Sequence, residues 1–167
     1  MLSQLVHLPP SLVDLTASGT LAALLRRHGL RGDGWGFPTH LWRCVALTPR
    51  DHSVSPSAQA LALVSEHFST HDLMLFQTRF GELTPTTEGA WRALAVSALS
   101  SGLAYGGENS PFVTGFVSDL FDTLRDPEFL SNHEGNAWTP VTSHTFDACL
   151  VACDAAQLIV IFVVDED

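Results

Sequence analysis

The hydrophobic periods along this chain predict an α+β (or mixed α/β) fold. We expect one mixed sheet of about four strands with a C-terminal antiparallel hairpin, packed by about four helices. Three observations carry that expectation. Two serine–proline pairs, Ser55-Pro56 and Ser110-Pro111, each open a run of apolar residues at helical spacing. Arg26, Arg27 and His28 followed by Gly29 form a helix stop, with cations at the negative helix end and a glycine able to turn left-handed. Two late runs, Thr145 to Cys153 and Leu158 to Val164, are apolar on both strand faces. Such strands belong in the middle of a sheet covered on each side.

The elements follow in order. Leu12, Val13 and Leu15 after Pro9-Pro10 predict a short helical turn, broken at Ser18-Gly19. Thr20 then caps a helix that runs to His28. Residues 31–38 form a glycine-rich loop, and Leu41 to Thr48 a strand ended by Pro49. Ala60, Leu61, Val64 and Phe68 give the helix after Ser55-Pro56 its inner face. Asp72 to Phe80 predicts a strand, and with its neighbours a right-handed crossover. Thr87 to Gly102 is helical, with Trp91, Leu94, Ala95, Ala98 and Leu99 inward. The helix after Pro111 turns Phe112, Val113, Phe116, Val117, Leu120, Phe121 and Leu124 to one side, and Asp119, Asp122 and Asp126 to another. Residues 127–144 read as a polar loop, and Asp154-Ala-Ala-Gln as the turn of the closing hairpin. With no linker, repeat or low-complexity stretch, residues 1–167 read as one domain.

Composition narrows the classes of function. Hydrophobic residues make up 46% and charged residues 16%, which excludes a disordered chain. There is no lysine, and eight scattered arginines make no basic stripe for nucleic acid. The longest apolar run, Leu158 to Val164, is too short for a membrane-spanning helix, and the N-terminus lacks a basic, then apolar, secretory signal. Three cysteines without CxxC spacing fit reduced thiols and a cytoplasmic location. Cys149 and Cys153 would share a strand face about 13 Å apart, too far for a disulfide.

Charge is distributed unevenly. Residues 1–107 carry seven acids and seven arginines; residues 108–167 carry eleven acids and Arg125 alone. The whole net charge of −10 therefore lies in the last third. This pattern predicts an acidic surface that meets a basic protein partner, with Asp119, Asp122, Asp126, Glu128, Glu134, Asp165, Glu166 and Asp167 supplying charge and Trp138 an aromatic anchor. The final Asp165-Glu166-Asp167 also reads more plainly, as charges that guard an aggregation-prone strand.

Motifs for catalysis are sparse. Asn132-His133-Glu134-Gly135-Asn136-Ala137-Trp138 gathers an imidazole, a carboxylate and an indole, with His144 and Asp147 nearby. An acid–base set of His133, Glu134, His144 and Asp147 would make a small hydrolase-like enzyme. The plainer reading is a surface loop held by Trp138. No nucleophile signature accompanies the set. His67 and His71 are spaced for two metal ligands on one helix face, but HExxH is absent and no third ligand is evident, so no metal or cofactor is expected. Gly32-Asp33-Gly34-Trp35-Gly36 lacks the lysine of a phosphate-binding loop and reads as a turn, although Asp33 and Trp35 facing outward would line a small pocket. The sequence thus favours a non-enzymatic, cytoplasmic binding module, such as an acidic inhibitor or immunity-type protein on a basic partner. A homo-oligomer that keeps its acidic face peripheral is compatible with the same residues.

Overall fold

A computed structural model describes residues 12–32, 41–70, 83–101, 108–135, 137–139, 141 and 146–165. The first elements are β1 (Val13–Asp14), α1 (Gly19–Arg27), β2 (Leu41–Pro49), α2 (Pro56–Thr70) and β3 (Thr84–Pro85). There follow α3 (Glu88–Ser101), α4 (Pro111–Phe121), β4 (Glu128–Ser131), β5 (His133–Glu134), β6 (Ala137–Trp138), β7 (Phe146–Cys153) and β8 (Gln157–Asp165).

The doubly apolar runs become the middle of a six-stranded mixed sheet, in the order β1-β2-β8-β7-β4-β3. β7 and β8 form the antiparallel hairpin, in register from Phe146↔Asp165 to Cys153↔Leu158. β2 runs antiparallel along β8, and β1 alone is parallel to its neighbour. β5 and β6 make a separate two-stranded sheet.

Side-chain alternation places each strand in two cores. Leu150, Ala152, Ile159, Ile161, Val163, Val45 and Leu47 meet α1, α3 and α4 on one face. Cys149, Val151, Leu158, Val160, Phe162, Cys44 and Ala46 meet Ala60 and Val64 of α2 on the other. The sheet is therefore covered on both sides, as its apolar strands require. Trp91, fully buried, satisfies its indole N–H on the Val151 carbonyl at 3.1 Å.

Helix boundaries follow their local chemistry. Ser55 Oγ accepts from Ala58 N and Thr87 Oγ1 from Ala90 N, so α2 and α3 begin where the sequence placed them. Gly29 has φ +69, the left-handed stop expected of it. The cap of α1 is Ser18, not Thr20: Ser18 Oγ accepts from Leu21 N, and its extended backbone frees the hydroxyl to reach the first turn. Ser110 holds its cap position before Pro111 without a side-chain bond.

Several expectations are corrected. Residues 13–14 are a strand, not a helical turn, because the parallel partner β2 and the Gly32 carbonyl, which accepts from Asp14 N, claim their backbone. The stretch 127–144 is not simply a loop; it holds β4, β5 and β6, whose pairing comes from β7 and from a local hairpin. The main sheet has six strands instead of about four: two-residue β1 and β3 are too short to show a period, and β4 lies in the stretch that reads as a polar loop. Phe112 is 38% exposed, off the buried face of α4 that Val113, Phe116, Val117 and Leu120 form. Asp126 lies beyond α4, at φ +48, and so shares no helix face with Asp119. Asp165 is no surface tail: it pairs with Leu41 and Phe146 inside β8 and is buried. The expected strand 72–80, the loop residues 33–38 with Asp33 and Trp35, His71, His144, Glu166 and Asp167 lie outside the described residues.

Candidate functional site

The acids of the C-terminal third fall into two groups once their surroundings are known. Asp119, Asp147, Asp154 and Asp165 are committed to the fold. Glu108, Asp122, Asp126, Glu128 and Glu134 are exposed, and among the described residues no hydrogen bond or ion pair holds their carboxylates.

Asp119 joins two helices. Its Oδ2 lies 2.6 Å from His28 Nε2 and 3.4 Å from Arg27, at the end of α1. The hydrogen bond from His28 holds its carboxyl below the usual range, and the Arg27 charge adds to this. The imidazole fits because residue 115 is glycine: a Cβ there would come within 2.8 Å of His28 Nδ1. Asp165 lies buried on the same sheet face as Arg43, whose guanidinium reaches the Leu99 carbonyl at 3.3 Å. Burial lowers the Arg43 pKa, and the Asp165 charge opposes that.

At the open end of the β7–β8 hairpin, Asp147 and Asn132 form a buried polar knot. Asp147 Oδ1 accepts from Asn132 Nδ2 at 2.7 Å, and both of its oxygens accept from Val141 N. Asn132 also donates to the Thr139 carbonyl, and its Oδ1 accepts from Cys149 N at 2.7 Å. His133 turns its Nε2 to the Asp147 backbone carbonyl at 2.8 Å, so that nitrogen carries the proton. The imidazole thus meets the main chain of Asp147, while the carboxylate faces Asn132. Trp138 stacks on His133, with ring centres 6.0 Å apart, and tilts against Phe146 at 5.8 Å. Glu134 is opposite Ala137 on the same small hairpin, exposed at its tip.

At the turn end, Asp154 organises the connection. Its Oδ1 accepts from Ala156 N and Gln157 N, and its Oδ2 from Arg125 N. Burial pushes its pKa upward, but these backbone donors outweigh it and hold the carboxyl low. A cavity of about 350 Å³ opens here, lined by Arg50, His52, Pro56, Asp126, Glu128, Cys153, Asp154 and Ala155. Arg50 is held by the Val54 carbonyl, by Gln59 Oε1 and by the Asp51 carbonyl. His52 Nε2 bonds the Ala155 carbonyl at 2.7 Å. The acidic set is therefore split between two ends of the sheet. Glu128 faces Cys153 near the turn, whereas Trp138 and Asp165 adjoin Phe146 at the other end.

Sequence reasoning missed Asn132 as a hub and missed the turn-end cavity. Nothing in an isolated asparagine signals burial, and Arg50 and His52 sit in a stretch distant from the hairpin turn. Burial raises the thiol pKa of Cys44, Cys149 and Cys153, which keeps all three protonated and weakly nucleophilic. All three are free. His67 packs edge-on against Trp42 at 6.0 Å. Among the described residues no three His, Cys, Asp or Glu side chains gather as metal ligands, and no helix is long and apolar enough to cross a membrane. No protein-family model matches the chain, and comparison with curated proteins and with solved structures finds no match.

Proposed function

We propose that this protein is a non-enzymatic, cytoplasmic binding module that docks on a basic partner protein, in the manner of an acidic inhibitor or immunity-type protein. One observation carries the reading. Asp122, Asp126 and Glu128 follow one another from the end of α4 into β4, all exposed and all without a partner among the described residues. Asp119 and Asp154 near them do structural work, so these three carry the free charge of this stretch. Uncommitted carboxylates retain their field for an incoming cation and steer its encounter. The hydrolase-like alternative has less behind it. His133 is bonded to a carbonyl instead of the Asp147 carboxylate, and the described cysteines are protonated.

The test uses the whole chain as bait in extract of the native cell at low salt. The captured partner should be basic, and its association should slow as salt rises while dissociation changes little. The triple variant D122N/D126N/E128Q should slow association on the order of tenfold. A partner that binds with the same rate at all salt concentrations, and equally well to the variant, would overturn the proposal.

A further inference from the structure

Between β1 and α1 lies a second cavity, of about 310 Å³, that the docking reading does not use. Its walls are fixed before anything enters. β1 is held on one side by β2 and on the other by Asp14 N, which donates to the Gly32 carbonyl at 3.0 Å. Gly32 packs so closely on α1 that a Cβ there would come within 2.8 Å of Leu25 Cδ1. Ala17, where β1 turns into α1, holds φ +49, a left-handed conformation that alanine keeps only where its surroundings impose it. The volume is at the lower end of small-molecule sites, which run from about 300 to 1,000 Å³.

The lining has three chemistries. Leu25 and Leu30, both buried, and Ala22 supply an apolar wall. Asp14 supplies a carboxylate. Its Oδ1 accepts from Thr16 N at 3.0 Å and from Thr16 Oγ1 at 3.1 Å, which leaves Oδ2 as an acceptor with no donor among the described residues. Arg26 supplies an exposed guanidinium that makes no hydrogen bond or ion pair among the described residues. The two charges line one cavity, yet no ion pair joins them.

Neither charge neutralises the other, so a ligand that satisfies both carries both charges itself. An ammonium donates to Asp14 Oδ2. A carboxylate accepts from the Arg26 guanidinium, whose planar fork matches it. The apolar wall adds a hydrocarbon group to that description. An α-amino acid with an aliphatic side chain unites all three, whereas a bare anion or an amine alone leaves one of the charges unmet.

We propose that this cavity is a binding site for a free aliphatic α-amino acid, with its ammonium on Asp14, its carboxylate on Arg26 and its side chain against Leu25 and Leu30. None of these residues belongs to the docking surface, so neither reading depends on the other.

L-leucine is the probe, titrated calorimetrically into the full chain beside three compounds that each lack one part. 4-Methylpentanoate has no ammonium, L-leucinamide no carboxylate and glycine no side chain. Each should bind about tenfold more weakly than L-leucine, as expected for the loss of one charged hydrogen bond or of a buried aliphatic group. Asp14→Asn keeps an acceptor for Thr16. It should weaken L-leucine about tenfold and leave 4-methylpentanoate unchanged. Arg26→Gln, at an exposed position, should weaken L-leucine about as much and leave L-leucinamide unchanged. Ala22→Leu fills the cavity from the helix and should abolish binding of L-leucine at an unchanged melting temperature. No binding of L-leucine at millimolar concentration overturns the site, as does binding that Ala22→Leu leaves intact. Equal binding of L-leucine and 4-methylpentanoate, or binding of L-leucine that Arg26→Gln leaves unaffected, overturns the assignment of a zwitterion.

Discussion

The two ends of the β7–β8 hairpin use negative charge in opposite ways. At the open end Asp147 and Asp165 are buried, 1% and 6% exposed; Asp147 is bonded by Asn132 and Val141 N, and the Asp165 charge acts on Arg43. At the turn end Asp154 is likewise consumed by three backbone N–H groups, but Asp126 and Glu128 beside it are exposed, with no hydrogen bond or ion pair to their carboxylates among the described residues. The same residue types, counted alike in a net charge of −10, thus divide into acids that shape the chain and acids left for another molecule. Net charge measures their sum. Only the hydrogen-bond partners tell which acids are available.

That distinction is most severely tested at the buried end. Asp147→Ala leaves Val141 N and one Asn132 donor buried without an acceptor. Each orphaned group costs about 1–3 kcal/mol, so the variant should lose about 3 kcal/mol in urea denaturation. Asp147→Asn keeps an acceptor oxygen and should lose less. It should also leave the hairpin and the emission of Trp138 nearer to native. A loss below about 1 kcal/mol for the alanine variant would move Asp147 out of the committed group.

Legibility in the sequence follows the same division between local and distant causes. The central hairpin was legible because burial on both faces writes an apolar residue at nearly every position of Leu158 to Val164. Helices α2 and α3 were legible from Ser55-Pro56 and Thr87, since a cap acts within four residues. β1 and β3 were not, because two residues show no period and their pairing is decided by partners far along the chain. Of the candidate site, the exposed Asp122, Asp126, Glu128, Glu134 and Trp138 were legible as chemistry. The fates of Asp119 and Asp165 were not. His28 lies 91 positions from Asp119 and finds room only opposite Gly115, and Asp165 is buried by register with β2 and β7. The segregation of charge is plain in the sequence, whereas the described acids are divided between the two ends of the β7–β8 hairpin.

A smaller effect is expected from Asp154. Its carboxylate caps the turn as an N-cap residue caps a helix, and Asp154→Ala should lose about 1 kcal/mol near neutral pH. The pH dependence has a definite sign. A carboxyl held below its ordinary value in the folded state stabilises above the unfolded pKa, near 3.9 for aspartate, and loses that contribution as pH falls through the folded value. The stability gap between wild type and Asp154→Ala should therefore be full at pH 6 and close in acid below pH 3.9. A gap that stays constant on acidification would mean that Asp154 acts through packing instead of its charge.

The smallest effect on stability belongs to the acids left free, and here a null result is the informative one. Asp122, Asp126 and Glu128 have no partner to lose among the described residues, so D122N/D126N/E128Q should unfold within about 0.5 kcal/mol of wild type. Asparagine suits position 126, whose φ of +48 it adopts more readily than most residues. Easing repulsion among the three carboxylates would, if anything, raise stability at low salt, and added salt should then remove the gain. Denaturation of both forms at low and high ionic strength measures this directly. A loss above about 1 kcal/mol would show that these carboxylates also hold the fold, and the contrast between committed and free acids would no longer locate a docking surface. An unchanged stability beside a slowed association separates the two roles cleanly, because the same substitutions would then affect the encounter and leave the molecule intact.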